Sequence, residues 1–123
     1  MEVDRLIRSW LVWRETSLHL QNDKQLIASS SVRFPMGYEY LLQYLLSASQ
    51  FMTQTSYRRL SKQGVRILGE HKEDREYFVL CKHQQKTRMI RMTHDQLKGE
   101  MQKKMEELIR NVGGVSEVSQ LKK

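Results

Sequence analysis

An α+β fold, with N-terminal helices, a three-stranded antiparallel β-meander and a long C-terminal amphipathic helix packed on the sheet, is predicted by three observations. Apolar residues recur at three- and four-residue spacing before residue 64 and again after residue 93, the period of a helix face. Between these regions lie three β-rich runs, VRILGE, EYFVLCKH and TRMIRMT, separated by the polar segments HKEDR and QQK. The chain has 123 residues, 39% apolar and 28% charged, which suits one domain with a core and is too short for two. Residues 1–114 are expected to form that domain and 115–123 a flexible tail.

In chain order, Val3, Leu6, Ile7, Trp10 and Trp13 predict a helix from about residue 3 to 16. The following segment, SLHLQNDKQLIAS, alternates around an Asn22-Asp23 turn signal and reads either as a short hairpin or as more helix. ASSS at 28–31 looks like a connector. Pro35 suits the first turn of a second helix, because proline lacks only an amide hydrogen that has no partner there. MGYEYLLQYLLSASQFM follows with large apolar residues on nearly every side, so this helix is expected to be central and buried. SAS at 47–49 marks an expected break, with a further helix over 52–63 stopped by Gly64.

The middle strand is apolar on both faces, with Tyr77, Val79 and Cys81 on one and Phe78 and Leu80 on the other, which places it at the centre of the sheet. Thr93 and Gln96 form a T-x-x-Q capping box. From there Leu97, Met101, Met105, Leu108, Ile109 and Val112 predict a helix as far as Gly113-Gly114.

The chain holds 21 Lys and Arg against 14 Asp and Glu, a net charge of +7 that attracts polyanions and is also common in small soluble proteins. The distribution is more informative. Between Glu39 and Glu70 stand Arg58, Arg59, Lys62 and Arg66 with no acid, and between Glu76 and Asp95 stand Lys82, Lys86, Arg88 and Arg91. If the fold joins these stretches, they make one positive face. Helix, glycine stop, strand, charged turn and strand is also the order in which a winged-helix domain sets its recognition helix before its wing. Over residues 38 to 83 the chain resembles that arrangement, RRLSKQGVRI resembling the end of the recognition helix.

Enzymatic and metal signatures are not found. His19, His71, His83, His94 and Cys81 show no C-x-x-C, H-x-x-x-H or H-E-x-x-H spacing, and the acids around residue 74 interleave with bases as in a solvated turn. A single cysteine cannot form an internal disulfide, and no export signal or run of about 18 apolar residues is present. The expectation is a cytoplasmic, non-enzymatic binding protein with no cofactor, no membrane association and no small-molecule substrate. Its expected partner is DNA or RNA, held through Arg58, Arg59, Lys62, Arg66, Arg88 and Arg91. A purely solvated basic face accounts for the same residues about equally well. The alternative is a protein-interaction module or homodimer using apolar surface on the first and last helices, with Trp10 and Trp13 at the interface.

Overall fold

Two long helices lie antiparallel, and the first of them sits between its partner and everything that follows. The computed structural model describes residues 2–29 and 36–121, and the side chains of 2–29 and 38–111. Its elements are α1 (Glu2–Ser29), α2 (Met36–Lys62), β1 (Arg66–Glu73), β2 (Glu76–His83), β3 (Lys86–Thr93) and α3 (His94–Leu121). Pro35 and the last two residues of the ASSS connector, Ser30 and Ser31, lie outside the described residues.

α1 is one helix of 28 residues, so neither a stop near residue 16 nor a hairpin is found. Trp13, Leu20 and Ile27, seven apart, continue the apolar stripe along α2, and that packing overrides the Asn22-Asp23 turn signal. The hydroxyls that compete with a helix turn back into it: Thr16 donates to the Val12 carbonyl at 2.7 Å and Ser17 to that of Arg14 at 2.9 Å. The same device explains why SAS does not break α2, an unbroken helix of 27 residues. Buried Ser49 donates to the Leu46 carbonyl at 2.9 Å, and Thr53 donates to that of Ser49 at 2.8 Å. Trp10 meets Tyr57 with ring centroids 6.4 Å apart, and Lys24 donates to Gln43 at the other end of the pair, which fixes the antiparallel direction.

α2 ends as expected. Gly64 has φ of 73°, its N–H donates to Ser61 at 3.0 Å, and the Val65 N–H donates to Leu60 at 2.9 Å. This is a complete Schellman motif, and the Leu60–Val65 apolar contact that usually accompanies it lies in the core. The sheet has the order β1-β2-β3 with both pairings antiparallel, so β2 is central. One extra residue in β1, around Leu68, shifts the register between Ile67 and Gly69. On the inner face Val79 and Cys81 of β2 stand beside Ile90 and Met92 of β3, and they pack on Val3, Ile7, Trp10 and Leu11 of α1. The outer face, with Phe78, Leu80 and Met89, has no described element over it.

α3 begins with the predicted capping box: the Thr93 N–H donates to Gln96 at 3.0 Å and the Gln96 N–H donates to Thr93 at 3.1 Å. Leu97 and half-buried Met101 face the sheet and α1, whereas Met105 and Leu108 belong to a second cluster with Trp13, Leu20, Leu42, Leu45 and Leu46. Ile109 is exposed, off the predicted stripe. The helical backbone runs through Gly113-Gly114 to Leu121, because glycine weakens a helix by about 1 kcal/mol without forbidding it. The side chains from Val112 onward lie outside the described residues.

Leu60 joins the α2 terminus to the core, so Leu60→Ala is expected to lower stability by about 2 to 5 kcal/mol in denaturant titration. A loss within about 0.5 kcal/mol would remove Leu60 from its central role. The β2–β3 turn places both Gln84 and Gln85 at positive φ, 52° and 67°, where Asn-Gly is favoured. The pair Gln84→Asn and Gln85→Gly should therefore raise stability by about 1 kcal/mol, and an unchanged midpoint would show that the turn carries no strain.

Candidate nucleic-acid interface

The six basic residues singled out in the sequence do not form one face. Arg58, Arg59 and Lys62 are exposed on the last turns of α2, and Arg66 opens β1 opposite Lys82 of β2. Arg88 and Arg91 are three apart in a strand and so point to opposite faces of the sheet. Arg88 turns inward, bonded to Asp4 at 3.0 Å, and Arg91 turns outward, bonded to Glu76 at 2.9 Å. Residue parity along β3 already contained this separation. The local order of a winged helix is present, but an unbroken α2 lying along α1 leaves no short turn to set a recognition helix across a preceding one.

What α2 meets instead is the N-terminal half of α1. Arg59 lines an open groove of about 750 Å³ together with Arg5 and Arg8 of α1 and Glu100 and Lys104 of α3. Asp4, also on its wall, is already paired with Arg88, and Glu100 is paired with Lys103 at 3.4 Å. Arg5, Arg8 and Arg59 are exposed, and among the described residues none of them has an ion-pair partner. Arg5 and Arg8 were missed in the sequence, although residues 5–14 hold no acid and their three-residue spacing puts them on one helix face. Lys104 at the groove's far side stands 5.3 Å from the Trp13 ring centroid.

Trp10 and Trp13 are not surface anchors: they are 7% and 3% exposed, each inside a core cluster. The exposed aromatic residues lie instead on α2. Tyr40 is 71% and Phe51 62% exposed, with Tyr44 on the same side, all turned away from α1. α2 is thus not the central helix that its composition suggested. α1 takes that place, and one face of α2 is left open.

Beside the groove, Glu15 is buried and accepts from Tyr77 at 3.1 Å and from Arg14 at 3.0 Å, while Arg14 also bonds Glu70 of β1 and lies 4.8 Å from the Trp10 ring centroid. Burial works against the Arg14 charge, but Glu70 and Glu15 outweigh it and raise the guanidinium's pKa. This network holds α1 on the sheet; its charges are spent on one another. A smaller cavity of about 270 Å³ is lined by Met101, Met105 and Leu97 with His19 and His94 at its wall. Among the described residues no three His, Cys, Asp or Glu side chains converge as a metal site. Cys81 is wholly buried, and that burial pushes its thiol pKa up, away from a reactive thiolate. No described helix is long and apolar enough to cross a membrane.

Comparison with known proteins gives a family without a stated activity. The family model described as YhjD protein matches residues 2–113, and the chain belongs to that family. No curated protein and no solved structure matches it.

Proposed function

We propose that this YhjD-family chain is a non-enzymatic binding protein that holds nucleic acid by its phosphates at the groove between the start of α1 and the end of α2. The observation that carries the reading is the convergence of Arg5, Arg8 and Arg59 on one open groove whose two carboxylates are already engaged by other bases. Lys62, Arg66 and Lys82 extend the positive surface from the end of α2 onto the sheet. Exposed guanidinium groups at such spacing bond phosphate oxygens and release condensed counterions, which supplies affinity independent of sequence. Arg88 and Arg91 take no direct part in this reading. Arg88 instead keeps Asp4 occupied and so leaves the groove positive. A cytoplasmic location accords with a reduced, buried Cys81.

A protein-interaction role is the second reading, moved from the first and last helices to α2, where the largest exposed aromatic residues lie.

The test is affinity for a B-form duplex against salt concentration. Replacing Arg5, Arg8 and Arg59 together with Gln should weaken binding to different duplex sequences by similar factors. It should also make the slope of log K on log salt shallower by about 0.9 for every phosphate that the variant no longer neutralises. A wild-type protein that fails to bind at low salt, or a triple variant with the wild-type slope, would overturn the assignment.

A further inference from the structure

The outward face of α2 has a pattern of its own. Tyr40, Tyr44, Ser47, Phe51, Gln54 and Arg58 recur at alternating spacings of four and three, and all six are exposed. Alternation of four and three is the spacing of a coiled-coil seam. The opposite side of the same helix, with Leu42, Leu46, Ser49 and Leu60, is the one buried against α1. α2 therefore carries two seams, and one has no partner among the described elements.

We propose that the partner is a second copy of this chain, with the two α2 helices packed antiparallel about a two-fold axis level with Ser49. The face is self-complementary in that direction. In an antiparallel pair each position of the first kind faces one of the second kind, which sets Tyr40 against the partner's Arg58, Tyr44 against the partner's Gln54, and Ser47 against the partner's Phe51. The Arg58 guanidinium then meets the Tyr40 ring, and the Phe51 ring meets Ser47, the smallest residue of the seam. Parallel pairing in register instead sets Arg58 on Arg58 and leaves a gap at Ser47. The direction thus follows from charge and size along the seam.

A helix face about 40 Å long and about 10 Å wide covers roughly 400 Å² on each copy, below the standard size of a stable interface, which makes the dimer a weak and concentration-dependent one. The pairing also sets the two Arg59 side chains about 30 Å apart along the helices, close to one turn of B-form DNA. That consequence rests on the nucleic-acid reading, whereas the dimer does not.

Sedimentation of the full chain without nucleic acid separates the two. Its mass should rise from one to two copies across the micromolar range, and Phe51→Glu, at an exposed position, should weaken association about ten-fold or more with an unchanged far-UV circular dichroism spectrum. Direction is tested by mild oxidation of two single-cysteine variants, Tyr40→Cys and Arg58→Cys, the native Cys81 being buried. A mixture should cross-link while each alone should not. A monomer throughout the range, a wild-type dimer constant for Phe51→Glu, or cross-linking of each variant to itself would overturn the proposal.

Discussion

The rest of the structure depends on the burial of α1 along most of its length. Its first three turns, through Val3, Ile7, Trp10 and Leu11, form the floor under the sheet, and its later turns, through Trp13 and Leu20, form the wall shared by α2 and α3. Neither cluster closes without it: a three-stranded sheet with one free face and two helices that barely meet cannot each bury enough apolar area alone. Because α1 is covered on several sides, every other element touches the core through a single face. The outward sides of α2 and of the sheet are therefore left to solvent or to partners.

Where α1 passes from one cluster to the other, the polar network of Arg14, Glu15, Glu70 and Tyr77 sets its rotation. Apolar contact is tolerant of small slides, but a buried carboxylate that needs two donors is not. Glu15 finds its donors in a residue of its own helix and in Tyr77 of β2, while Arg14 reaches on to β1. Displacing α1 by one turn would leave that carboxylate buried without its Tyr77 donor, so the network selects one docking of helix on sheet. The same docking brings Arg5 and Arg8 to the side of α1 that Arg59 faces.

Features with a local cause were legible in the sequence. The glycine stop at Gly64, the capping box at Thr93 and Gln96, the three strands and the central place of β2 all follow from bonds or alternation within a few residues, and each is found. What went astray depended on distant neighbours. α1 continues past Asn22-Asp23 because α2 lies along it, and composition could not say which of two apolar helices would be surrounded. Trp13 is buried since α2 and α3 close over it. In the candidate site, the basic end of α2 was legible from its acid-free run, whereas Arg5 and Arg8 stand beside Asp4, whose bond to the distant Arg88 only the fold reveals. Arg88 and Arg91 were grouped with the others although strand parity alone separates them.

The distribution of ion pairs turns a modest net charge into a local field. Asp4 is bound to Arg88, Glu70 and Glu15 to Arg14, Glu76 to Arg91, and Glu100 to Lys103. The pairs of Asp4, Glu70 and Glu76 join α1 to the sheet or one strand to the next, whereas that of Glu100 stays within α3. Among the bases with no such pair are Arg5 and Arg8 on α1 and Arg58, Arg59, Lys62 and Arg66 where α2 runs into β1. Exposed like charges gathered in this way repel one another and add nothing to folding. Their field extends about a Debye length into the solvent, roughly 8 Å at physiological salt, which is far enough to overlap across the groove and to favour an anion there over water. One ion pair thus serves both ends: Asp4 stands on the groove's wall, and the bond to Arg88 that ties α1 to the sheet also takes up the charge that would otherwise neutralise the bases beside it.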